Sequence, residues 1–162
     1  MTSARRPARS SPKADPIAAA VRYLAQGDRS AAQVQRHLAG RGFSGTEARR
    51  ALRTLQRLGY VDDETVAFRV AEARLARHPM AREALAAELE ARGFSTGAVA
   101  RAVQRAYAEL SEEAVAERFL KSLPRRFSDP SREARRRAGL LRGRGFSDDV
   151  SESVLGVTAN HS

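Results

Sequence analysis

Cysteine is absent from the 162 residues, which excludes disulfide frameworks, thiolate zinc sites and cysteine nucleophiles. Tryptophan is absent too, and the nine aromatics are three Tyr and six Phe. No apolar run approaches the ~20 residues that a membrane span needs, so no membrane association is expected. The basic start MTSARRPARSSPKADP leads into no apolar signal-peptide core, which points to a cytoplasmic protein. His37, His78 and His161 fall at no metal-ligand spacing and have no paired carboxylate constellation beside them. The chain contains neither a G-x-x-x-x-G-K-[ST] phosphate loop nor a G-x-S-x-G elbow. The expectation is a non-enzyme with no cofactor and no metal.

Lysine is almost missing as well: only Lys13 and Lys121 occur among 29 basic residues, which stand against 19 acidic ones. The arginine bias itself reads as the mark of a GC-rich genome. The net charge of +10 speaks of polyanionic partners and not of fold. Residues 17–117 hold fifteen basic residues against thirteen acids, whereas 118–144 hold ten against two. The first fifteen residues, rich in Pro, Ser and Arg, read as a disordered basic arm. The run from Arg118 to Arg144 lies inside a patterned segment and is the basic patch to explain.

Arg-Gly-Phe-Ser occurs at 41–44, 92–95 and 144–147, with Leu38, Leu89 and Leu141 three residues ahead of each Arg. Such a spacing has a mechanical meaning. A helix that stops in a Schellman turn needs a left-handed residue at C′, which Gly42, Gly93 and Gly145 supply. The C″ residue, Phe43, Phe94 or Phe146, then packs on the leucine, and the serine is placed to cap the next helix. Ser44 with Glu47, and Ser30 with Gln33, form S-x-x-E/Q capping boxes. Asp15-Pro16 and Asp129-Pro130 each set a cap and a first-turn proline.

Helices follow from Pro16 to the closing Gly27 (Ile17, Val21 and Leu24 inward) and from Ser30. A third carries the stripe Ala48, Leu52 and Leu55, extended by Leu58, and ends at Gly59. A fourth is capped by Asp62 or Asp63, and a fifth starts at Pro79. Val99, Val103 and Ala106 line a sixth. Ser111, Asp129 and Ser147 open the seventh to ninth. No segment alternates with period two. The fold class expected is all-α: three tandem three-helix modules (16–60, 61–110 and 111–157) in an elongated, curved array, with a disordered tail at 158–162.

Gly59-Tyr60-Val61-Asp62-Asp63-Glu64, placed directly after the stripe of the third helix, resembles the G-Y-[LV]-[DN]-D-E segment of the RecX family. The pattern that follows in that family is matched by Arg74, Pro79, Arg82, Leu85, Glu88, Leu89, Arg92 and Gly93. The resemblance covers residues 17–156. It departs from the family at Val66, where Phe is usual (Phe68 comes two positions later), and at Arg77-His78, where a Gly-rich turn is common.

The resemblance implies a regulator of the RecA recombinase. Such a protein binds in the groove of the RecA–single-stranded-DNA filament and restrains its ATPase, strand-exchange and coprotease activities. RecA and, through the filament, single-stranded DNA are the implied partners of a monomer. Arg125, Arg126, Arg132, Arg135, Arg136, Arg137, Arg142 and Arg144 form the densest cationic region. With Arg74 and Arg82 of the family pattern they supply the candidate filament and DNA contacts. Arg132, Arg135, Arg136 and Arg142 are expected on the wet side of the eighth helix. Asp62 and Asp63 read as helix caps and not as metal ligands, and Tyr60 as a half-buried anchor between the first two modules. The alternative is a helix-turn-helix-type DNA-binding protein acting without RecA.

Overall fold

The structure, a computed structural model, describes residues 15–156; residues 1–14 of the basic arm, the tail and His161 lie outside those residues. Among them the secondary structure is helical throughout. The elements are α1 (Pro16–Leu24), α2 (Ala31–Gly40), α3 (Gly45–Arg57), α4 (Asp63–Arg77), α5 (Arg82–Ala91), α6 (Thr96–Ala106), α7 (Glu112–Ser122), α8 (Pro130–Arg142) and α9 (Asp148–Leu155). Local chemistry explains their starts. Asp15, Ser30, Ser44, Asp62, Ser95, Ser111, Asp129 and Ser147 each accept a backbone N–H of the helix they open. Both capping boxes close as their spacing predicts.

All three R-G-F-S corners form Schellman turns. Phe43, Phe94 and Phe146 donate their N–H groups to the carbonyls of Leu38, Leu89 and Leu141 at 3.2, 3.3 and 3.2 Å. The three glycines take φ of 87°, 88° and 81°. A fourth corner of the same geometry, without the Arg-Gly-Phe-Ser tetrapeptide, closes α3: Tyr60 N–H reaches Leu55 O at 2.9 Å across Gly59, whose φ is 76°.

Two expectations about helix starts and faces need correction. Helix α5 begins at Arg82, not Pro79, because residues 79–81 are held in an extended approach. Ala81 N–H donates to Arg144 O at 3.0 Å, and the buried Tyr107 hydroxyl donates to Met80 O. Burial, and then the charge of Glu112, push the Tyr107 phenol up to about 12. In α1 the packed face centres on Ala19 and Ala20, with Ile17 and Leu24 flanking it, while Val21 is exposed.

Every substantial helix–helix packing pair falls within α1–α3, α4–α6 or α7–α9. The apolar interior is divided differently. Val34, Leu38, Leu55 and Val61 belong to one cluster, and a second runs without interruption from Val66 to Val150. The first triplet thus has a core of its own, and the other two share one.

What joins successive triplets is a repeated device. The N-terminal N–H of α2, on Ala31, donates to Asp63 at the start of α4 (2.7 Å), and that of α5, on Arg82, donates to Glu112 at the start of α7 (2.7 Å). The corner of the following triplet reaches back to the same place: Ser30 Oγ donates to Arg92 O at 3.0 Å, matching the Ala81–Arg144 bond. The corner glycine then sits against an alanine. A Cβ on Gly93 would stand 2.9 Å from Ala32 Cβ, and one on Gly145 would stand 2.9 Å from Ala84 Cβ. At the corresponding start of α8 stands Pro130, which has no N–H to give, so the joint is not repeated there.

Candidate nucleic-acid and filament interface

The loop after α7 and the first turns of α8 carry the densest arginines, and one carboxylate organises them. Glu133, only 6% exposed, accepts from Arg136 (2.7 and 3.1 Å) and Arg137 (2.8 Å). It also accepts the backbone N–H groups of Arg126 and Phe127, both at 3.2 Å. Arg136 in turn donates to Pro124 O at 2.9 Å. The loop is thus clipped to the helix. Arg136, expected on the wet side, folds inward instead, its side chain only 19% exposed.

The two guanidiniums, Arg136 first and Arg137 next, hold the Glu133 carboxyl well below its ordinary value of 4.5. A carboxylate whose folded value lies below its unfolded one stabilises the fold above the unfolded value. That contribution is lost as pH falls through the folded value. Glu133→Gln should therefore unfold at lower urea than the parent at pH 7. The gap should narrow steadily below pH 4.5, and parallel urea titrations at pH 7 and pH 3 check this.

With Arg136 and Arg137 engaged, other cations of the loop and helix face outward. Arg125 donates to the carbonyls of Phe127 and Ser128 at 3.1 and 3.0 Å, which fixes its geometry without neutralising its charge. Arg132 lies 4.2 Å above the Phe127 ring. Arg126 and Arg135 are exposed, with no ion pair among the described residues. Arg142 makes a loose exposed pair with Asp148 at 3.5 Å. An open groove beside this face is lined by Lys121, Arg125 and Arg137 together with Glu117 and Glu133, above apolar Leu120, Ala134, Val154 and Leu155.

Three other candidates are committed to internal contacts. Arg74 grips Glu88 through two bonds of 2.6 Å, which holds the Glu88 carboxyl below its ordinary value. Arg82 lies 4.4 Å over the Tyr107 ring beside the Glu112 joint. Arg144 packs 4.6 Å over Phe119 and donates to Pro79 O at 3.2 Å. Asp62 caps α4 through Glu64 and Thr65, while Asp63 caps α2 across the joint. Tyr60, expected as a half-buried anchor, is 60% exposed, and its neighbour Val61 (4%) is the residue buried there.

A second basic surface escaped the sequence reading. The near-neutral sum over 17–117 hides eight arginines against two acids in 17–61, followed by seven basic residues against eleven acids in 62–117. A charge count taken helix by helix would have shown it. Among the described residues no group of three or more His, Asp or Glu is placed to hold a metal ion, and no helix is long and apolar enough to cross a membrane.

These features define a helical-repeat protein of linked corners and joints, with basic faces on its first and last triplets. No family model matches the chain. Its sequence is 32% identical over 138 residues to regulatory protein RecX of Mycobacterium ulcerans, covering 83% of this chain and 79% of that one. Regulatory protein RecX of Mycobacterium marinum aligns to the same extent. The crystal structure of RecX from Lactobacillus salivarius superposes with a TM-score of 0.77 over 87% of this chain and 92% of that one, at 16% identity. The chain belongs to the RecX family of regulatory proteins.

Proposed function

We propose that this protein regulates RecA by lying along the RecA–single-stranded-DNA filament, mainly restraining its ATPase, strand-exchange and coprotease activities, and that it acts as a monomer without catalysing a reaction. The observation that carries this reading is kinship with proteins named regulatory protein RecX over four-fifths of the chain. The build of the molecule suits the role. Three triplets linked by repeated joints can engage successive subunits of a helical polymer, and linked weak contacts gain from effective concentration. The last triplet offers Arg125, Arg126, Arg132 and Arg135 to phosphates or to an acidic protein face. The alternative, a helix-turn-helix reader acting alone, is disfavoured because the corners at Gly93 and Gly145 are occupied by the joints.

The test is a titration of RecA's DNA-dependent ATPase. Inhibition is expected well below one molecule per RecA subunit, and replacing Arg125, Arg126, Arg132 and Arg135 by Ala should weaken it. If these four neutralise phosphates, log K for the filament falls with log salt at a slope near about −3, and the variant flattens it. Unchanged ATPase up to stoichiometric excess would end the proposal.

A further inference from the structure

Helix α3 displays Arg49, Arg50, Arg53 and Arg57, all exposed. They form a stripe that climbs about 12 Å along the helix at 1.5 Å per residue. A charged stripe by itself is usually a solvated face, but here both acids of residues 17–61 are committed elsewhere, as are the three that follow the corner: Asp62 caps α4, Asp63 accepts from Ala31, and Glu64 pairs with Arg101 at 3.0 Å. Asp28 pairs with Arg69 of α4 at 2.8 Å, and Glu47 closes the capping box at Ser44. None of the four arginines has an ion pair among the described residues.

The end of the stripe supplies an independent observation. At the other corners the C″ aromatic turns inward: Phe94 and Phe146 are buried and Phe43 is half-buried. At the fourth, Tyr60 is held by the same backbone bond yet is 60% exposed, with Leu58 beside it at 59%; the next most exposed large apolar residue described, Val21, stands at 37%. Since Val61 takes the inward place, the Tyr60 backbone is fixed by the corner while its ring stands mostly exposed. A row of exposed arginines leading to an exposed aromatic ring is the pairing that single strands use, phosphates on the cations and a base on the ring.

We infer that α3 and its closing corner form a site for single-stranded nucleic acid, separate from the basic face of α8. Arg50, Arg53 and Arg57 hold the phosphates, and Tyr60 stacks on a base. The site goes beyond the filament reading, because it binds a strand that carries no RecA. A duplex, whose bases are stacked on each other, gains the phosphate contacts alone.

The experiment uses the full chain with a fluorescently labelled oligothymidylate of twenty residues, and a duplex of equal length, in the absence of RecA. Anisotropy is read over a range of salt. Arg50, Arg53 and Arg57 replaced together by Ala should make the salt slope shallower by about 2. Tyr60→Ala should weaken oligothymidylate binding roughly tenfold and duplex binding little, and Tyr60→Phe should keep the parent affinity. Because Tyr107 is buried and Tyr23 is stacked on His37, quenching of tyrosine fluorescence on binding should vanish in Tyr60→Phe. Parent affinity and slope in both the triple variant and Tyr60→Ala would overturn the site. So would an equal loss for strand and duplex, or displacement of the strand by polyglutamate at the concentration at which unlabelled oligothymidylate displaces it. The absence of RecA keeps any such failure distinct from a failure of the ATPase titration.

Discussion

Gly93→Ala is expected to cost about 2–4 kcal/mol of unfolding free energy, whereas Gly42→Ala, at the same place in the first corner, costs about 1–2 kcal/mol. The two glycines have nearly the same backbone, with φ of 88° and 87°, so the penalty for a left-handed alanine is common to both. They differ in what surrounds them. A Cβ on Gly42 meets nothing within 4 Å, while one on Gly93 lands 2.9 Å from Ala32 Cβ, with Arg36 and Ser30 also within 3.5 Å. Carbon atoms in good contact lie about 3.5–4.0 Å apart, so either α2 shifts or the joint opens. The excess cost of Gly93→Ala thus measures the joint alone. Ala32→Gly should recover part of that excess and none of the backbone penalty, leaving a coupling of about 1 kcal/mol in the double-mutant cycle. Urea unfolding of the four proteins gives the numbers, and equal costs at positions 42 and 93 would show that the joint does not bear on stability.

The contrast between those two glycines also shows what was legible in the sequence. Everything local was. Leu-x-x-Arg-Gly-Phe-Ser encodes its helix end, its left-handed glycine and its next cap within seven residues, and all three copies fold that way. The joints were not legible, because they depend on residues that meet only in three dimensions. Asp63 stands next to a helix start and reads as the cap of that helix, yet the helix it caps lies thirty-two residues upstream. Arg82 and Arg144 count as free charge in a linear sum, but each is spent on a ring and a carbonyl, Arg82 within the second triplet and Arg144 partly across to Pro79 O. Glu133 was visible as a rare acid among arginines; that it would draw Arg136 inward and pin the preceding loop was not. The face of α3 was hidden by averaging over two triplets of opposite charge, and Tyr60 by the ordinary rule that a C″ aromatic packs inward.

The division of the core gives the joints unequal weight, and this sets up the second large effect. The second and third triplets share one apolar cluster, so their Glu112 joint is reinforced by buried surface. The first triplet has its own cluster and meets the second through the Asp63 and Ser30 bonds, the Asp28–Arg69 pair and the Gly93 contact. Of the two part-buried bonds, losing the Asp63 cap removes about 0.5–2 kcal/mol and losing the Ser30 bond to Arg92 O about 0.5–1.5 kcal/mol; removing the Ser30 hydroxyl also strips the N-cap of α2 from Gln33 N–H, about 0.5–2 kcal/mol more.

Asp63→Ala combined with Ser30→Ala should therefore lower the stability of residues 16–60 by about 1.5–5 kcal/mol, part of it the α2 cap itself, while leaving α4–α9 almost as stable as before. Amide exchange reads this directly, as faster exchange in α1–α3 without matching loss in α7–α9. Asp63→Asn is the informative control. Burial raises the Asp63 carboxyl above its ordinary value, an effect that its bond to Ala31 only partly offsets. The charge is then a burden and the acceptor oxygen the useful part, so the amide should keep the joint within about 0.5 kcal/mol. If instead all nine helices lose protection together in the double variant, the triplets unfold as one cooperative block, and the polar joint is not what sets the position of the first triplet against the other two.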